Sequence, residues 1–192
     1  MEIMAAVLVT GGCVRLGKAI GDAFAAAGWR VVRSSHRADA GADIVVDLSL
    51  ANGAGELMEK AIALLGGRPD VLVNNAALYV GAADDEAVWQ VNYRSARQLA
   101  ELMSGGTVIN VLDKYASVRH PGTAYAESKK ALSDWGKANA CLAFEVGDIS
   151  DLAPSGCHEK ALEESFERQT SRQVAARILD MVEKQDNSSF VK

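Results

Sequence analysis

The stretch Val7-Leu8-Val9-Thr10-Gly11-Gly12 constrains this chain more than any other. An apolar run from Ala5 to Val9 breaks into glycines, and a different periodicity follows. Leu16, Ile20, Phe24 and Ala27 recur at helical spacing until Gly28 ends the pattern. This is a strand, a tight loop and a helix. Gly11 and Gly12 permit positive φ and close backbone approach, and Gly17 lets the helix pack near the strand. Arg15 stands where such a loop usually carries glycine.

The rest of the chain repeats the alternation. Strands are predicted at 6–10, 30–34, 43–48, 71–75, within 106–112, and at 141–146. Helices are predicted at 56–65, 84–103, 125–140 and 173–184. Near-continuous apolar strands alternating with helices give parallel βαβ units in a sheet covered on both faces. The expected fold is α/β: a doubly wound Rossmann-type domain with a parallel sheet of six to seven strands. Residues 1–192 are expected to form one domain, with ligands beyond the carboxyl ends of the strands.

Strand–glycine loop–helix is also the context of a dinucleotide fingerprint, in which a helix N-terminus faces a pyrophosphate. A purely structural turn has the same glycine pattern. The end of strand two adds information. NAD-binding proteins usually place an acid there for the ribose 2′-hydroxyl. Here the chain reads Arg33-Ser34-Ser35-His36-Arg37, with no acid before Asp39. A carboxylate repels a 2′-phosphate, whereas Ser35, His36, Arg37 and the Arg15 guanidinium can bind one. The expected cofactor is NADP(H). The other reading of these cations is an ordinary solvated surface.

Tyr125 and Lys129 lie four apart, on one face of a helix. A nearby ammonium is expected to bring a phenol toward working range. Asn74-Asn75-Ala76-Ala77 ends strand four, Asn92 lies mid-helix, and Ile109-Asn110-Val111-Leu112-Asp113 closes strand five. This set, in this order, resembles the short-chain dehydrogenase/reductase family over about residues 5–150. The resemblance implies that Tyr125 is the proton donor, Lys129 the ribose-binding lysine, and Asn92 the support of a water relay. By the same match, Gly11, Leu16, Gly17, Asp47, Leu48, Asn75, Ala76, Ala77, Gly147 and Ile149 border the cofactor.

The family usually has serine at the position of Asp113. A serine hydroxyl donates to a carbonyl oxygen, whereas an ionised aspartate only accepts. Asp113, Arg15 and the His36-Arg37 pair together resemble the pteridine reductase branch. That resemblance implies hydride transfer from NADPH to a pterin-like C=N bond, with Asp113 and Tyr125 supplying the proton. Two alternatives stand beside it. One is a carbonyl reductase of the same family, with Asp113 protonated or Ser117 standing in. The other is a non-catalytic NADP-binding protein.

A formal charge of −5 gives no basic field for nucleic acid or an anionic membrane, and no apolar run reaches bilayer length. Cys13, Cys141 and Cys157 form neither a disulfide framework nor a zinc pattern, and His36, His120 and His158 have no metal-ligand spacing. A cytoplasmic location is expected. The family implies a homo-oligomer, dimer or tetramer, weakened here because the chain stops where a last strand would begin. A reduced substrate lid is expected near 150–170.

Overall fold

Ala6–Val9 forms β1 of a parallel sheet, every residue of it buried. In this computed structural model, which describes residues 4–81, 83–149, 151 and 168–189, the elements follow the alternation expected. After β1 come α1 (Arg15–Ala26), β2 (Arg30–Ser35), β3 (Ile44–Val45), α2 (Gly53–Leu65) and β4 (Val71–Asn74). Next are α3 (Asp85–Trp89), α4 (Ala96–Leu102), β5 (Thr107–Asp113), α5 (Ala116–Arg119), α6 (Ala124–Ala138) and β6 (Leu142–Val146). A small pair, β7 (Asp148–Ile149) with β8 (Arg168–Gln169), precedes α7 (Ser171–Ser189).

The main sheet has six parallel strands in the order β3-β2-β1-β4-β5-β6. The chain moves outward from β1 to β3, then returns to the other side of β1 as β4. The two halves part at the carboxyl ends of β1 and β4, the crevice where open α/β sheets bind ligands.

Strand pleat decides which residues meet which helices. Val7 and Val9 join Val71, Val73, Ile109 and Val111 on one face, under Ile20 and Phe24 of α1 and Val174 and Ile178 of α7. Leu8 and Leu72 point the other way, to Leu57 and Met58 of α2 and to Leu99 of α4. Both faces are apolar, which is why the strands lack polar alternation.

Two expectations need correction. The third strand is two residues long, not six. Beyond Val45 the Asp47 carboxylate takes both the Ser49 N–H and its hydroxyl, and that local turn ends the ladder. The helix expected at 84–103 is not uniform, because Gln90–Ser95 winds as a π-helix between α3 and α4. Such a bulge turns side chains off the regular spacing; here it sends Asn92 into the protein. The β7–β8 pair and α5 were not foreseen. The lid expected near 150–170 lies almost wholly outside the described residues. Among the described residues, no helix is long and apolar enough to cross a membrane.

Candidate active site

The glycine loop is held from below. The Thr10 hydroxyl accepts the backbone N–H groups of Asn75 and Ala76, each at 3.0 Å. The Asn75 amide donates to the carbonyls of Thr10, at 3.0 Å, and Gly11, at 3.3 Å. These bonds join the ends of β1 and β4. Gly17 seals the arrangement, since a Cβ there would lie 2.1 Å from the Gly11 oxygen and 2.6 Å from the Asn75 amide nitrogen. Gly11 has φ +61, and Arg15 has φ +49, a left-handed conformation that is strained for a residue with a side chain. No side chain caps the start of α1, so its first N–H groups are available to an anion. This close-packed loop fits a dinucleotide pyrophosphate.

The remaining cofactor candidates also lie at the carboxyl ends of the strands. Leu16 is buried and contributes packing at the start of α1. Arg15 lines a groove with Lys18, Asp22, Ser171 and Arg172. His36 and Arg37 are exposed after β2. The Ser35 hydroxyl accepts the Arg37 N–H at 3.0 Å, and the Arg37 guanidinium forks onto Asp39 at 3.0 and 2.8 Å. The exposure of that ion pair keeps it weak and exchangeable. Hydrogen bonds from Ser49 hold the Asp47 carboxyl below its ordinary range, while Leu48 is buried and its carbonyl accepts from Ser95. Ala76 is half-buried and Ala77 exposed in the turn after β4. Gly147 follows β6, and Ile149 pairs with Gln169 in the small sheet.

Asn92 works through the next segment. Its amide grips Leu78 from both sides, accepting the N–H at 2.8 Å and donating to the carbonyl at 2.9 Å. It also reaches Ser128 at 3.3 Å. The π-helical turn thus braces the chain leaving β4 against α6.

Thr123 caps α6 by accepting the Ala126 N–H, and α6 carries Tyr125 and Lys129 inward. The Tyr125 hydroxyl donates to Asp113 Oδ2 at 2.9 Å, and the Tyr115 N–H fixes the other carboxylate oxygen at 2.8 Å. Burial first, and then the Asp113 charge, push the phenol above its ordinary value. This reverses the expectation that Lys129 would lower it. The Lys129 ammonium points instead at the Val111 carbonyl, 2.9 Å away. Burial brings it down to about 8, with Asp113 opposing. The cluster therefore holds a protonated phenol on an acceptor.

Sequence reading missed Thr10, Tyr79, Tyr115 and His120. Thr10 had a signal, because a hydroxyl at the end of a strand is positioned to take turn N–H groups. Tyr79 and His120 had none. They come from separate loops and meet only in space, where both rings face Tyr125 edge-on.

The Lys129 environment has a consequence for stability. Its ammonium is disfavoured in the native state, so it costs stability below about pH 8, and the cost fades as pH rises toward 10.5. Lys129→Met removes that dependence. The stability difference between the two proteins should shift in favour of the wild type by roughly 2–3 kcal/mol from pH 7 to pH 10. Urea unfolding at both pH values measures it, and a constant difference would contradict the burial.

Comparison with known proteins agrees with this architecture. A short chain dehydrogenase family profile matches residues 5–150. An uncharacterized oxidoreductase of Methylorubrum extorquens is 35% identical over 155 residues, 66% of this chain, and the chain spans 62% of that relative's length. A 3-alpha-hydroxysteroid dehydrogenase from a Pseudomonas species, complexed with NADH, superposes with a TM-score of 0.81 at 20% identity, over 97% of this chain and 92% of that one. A blue fluorescent protein from a metagenomic library, in complex with NADPH, gives 0.76 at 23% identity over 91% and 89%. These two share the fold. With the profile covering most of its length, the chain belongs to the short chain dehydrogenase family.

Proposed function

We propose that the chain is an NADPH-dependent oxidoreductase that reduces a C=N bond of a pterin-like ring. The observation that carries this reading is the hydrogen bond from Tyr125 to the Asp113 carboxylate. NADPH, when bound, supplies a hydride to the carbon of that bond. Tyr125 is the acid. Burial and the neighbouring Asp113 carboxylate hold its phenol protonated, which also makes it a weaker acid than a free phenol until a substrate nitrogen takes the place of the carboxylate as acceptor. Asp113 is the acceptor, and its fixed carboxylate suits the N–H groups of an amino-substituted ring. Lys129, held inside against Val111, offers its ammonium to the ribose hydroxyls.

For a ketone the same carboxylate would face a developing oxyanion and repel it. Ser117, which would have to replace it as donor, is exposed on α5. Asp113→Ser is therefore expected to lower kcat/KM on dihydropterins by about ten- to a hundredfold, the equivalent of losing a charged hydrogen bond of roughly 1.5–3 kcal/mol. Activity on simple ketones should be unchanged or raised. NADPH oxidation assays with both substrate types decide it; improvement on every substrate would leave a carbonyl reductase as the reading.

The cofactor preference rests on Ser35, His36 and Arg37 after β2. A 2′-phosphate can displace Asp39 from the Arg37 fork, because both partners sit in water. NADPH is expected to bind at least about tenfold tighter than NADH, and Arg37→Asp to narrow or reverse the gap. Titration calorimetry that found equal affinities in the unaltered protein would refute the preference.

A further inference from the structure

Tyr79 and His120 belong to no motif in the sequence, yet they meet beside the Tyr125–Asp113 pair. The Tyr79 hydroxyl is hydrogen-bonded to His120 Nε2. The rings stand nearly perpendicular, with centroids 5.0 Å apart. Tyr79 in turn meets Tyr125 at 4.8 Å, and His120 meets it at 6.0 Å. The three rings form one cluster, and Tyr79 keeps 51% of its surface exposed.

Both residues are held by the framework that builds the site. Tyr79 follows Leu78, whose N–H and carbonyl are both gripped by Asn92. The His120 carbonyl accepts the hydroxyl of Thr123 at 2.8 Å, and Thr123 is the cap that starts α6. The His120 backbone N–H donates to the Ala116 carbonyl. The tyrosine is fixed to the β4 side of the cleft and the histidine to the Tyr125 helix.

We propose that His120 positions the Tyr79 hydroxyl and sets whether it donates to the substrate or accepts from it. The argument is hydrogen-bond direction. A neutral imidazole with Nε2 bare accepts the Tyr79 proton, so the tyrosine oxygen presents lone pairs. A protonated imidazole can only donate through Nε2, so the tyrosine oxygen accepts from it and its own hydrogen turns outward. The pair thus changes the polarity of one point on the rim without moving either ring. Among the described residues, the titratable groups around His120 are Tyr79, Tyr125 and, beyond Tyr125, Asp113. Arg119, next in the chain, is turned onto Asp148. The substrate class rests on the function proposed above; the coupling of His120 to Tyr79 does not.

Two measurements test this. In the first, the ring-nitrogen NMR signals of His120, assigned by their loss in His120→Gln, are compared in the wild type and in Tyr79→Phe. The Nε2 signal should shift when the Tyr79 hydroxyl is removed, because its hydrogen-bond partner is lost. An Nε2 signal identical in the two proteins overturns the proposal whatever the substrate. In the second, KM for a dihydropterin is followed across pH with saturating NADPH. The wild type should show a KM transition between roughly pH 5 and 8, the span in which imidazoles titrate. His120→Gln, whose amide can donate or accept at any pH, should flatten the transition while keeping kcat within about threefold; Tyr79→Phe should flatten it too. A KM transition unchanged in both variants overturns the proposal. If no dihydropterin is turned over, the proposed function fails, and the NMR comparison alone decides the coupling.

Discussion

The site depends on how β1 and β4 are tied where the sheet divides. Thr10 and Asn75 stand at the carboxyl ends of these neighbouring strands, and each spends its polar atoms on the other's backbone. The crevice between the two halves of the sheet is thereby closed underneath. Gly17 has room for no side chain because the Asn75 amide and the Gly11 carbonyl already fill that space. The glycine loop is therefore a packed object rather than a flexible one. Its strain is concentrated at Arg15, a charged residue in a conformation that glycine adopts without cost.

The second half of the sheet carries the charge logic. Asp113 ends β5 and is fixed through one oxygen by the Tyr115 N–H, leaving the other for Tyr125. A carboxylate in that position opposes ionisation of the phenol and supports the buried ammonium of Lys129. Replacing it with a neutral hydroxyl would change both groups at once. Asn92 belongs to the same system mechanically. The π-helical turn brings its amide to Leu78 and Ser128, so the chain leaving β4 is braced against the helix that bears Tyr125.

Much of this was legible in the sequence, for identifiable reasons. Strands buried on both faces read as unbroken apolar runs, so β1, β4 and β5 could be placed from pattern alone, while β2 and β6, buried at alternate positions, were marked by their short valine-rich and apolar stretches. Helix spacing marked α1 and α2 equally well. The third strand misled because Val45, Val46 and Leu48 are apolar, while the Asp47 turn that ends the ladder is a matter of side-chain hydrogen bonding. The π-helical segment was hidden because its residues keep the composition of an ordinary helix. Motif spacing brought Tyr125, Lys129 and Asp113 into one site but assigned the Tyr125 pKa the wrong direction. Four-residue spacing shows that two side chains share a helix face, not that their charged atoms meet. Lys129 bonds to a strand carbonyl, and Asp113 takes the phenol. Tyr79 and His120, 41 residues apart, carry no local signal at all.

Asp113 holds Tyr125 as a neutral phenol. Carbon NMR of ring-labelled tyrosine, with the Tyr125 signal assigned by its loss in Tyr125→Phe, follows phenolate formation as pH rises. In the wild type Tyr125 should ionise at higher pH than in Asp113→Asn, or not at all before unfolding. If Tyr125 ionises at the same pH in both proteins, or earlier in the wild type, the account of the site is wrong.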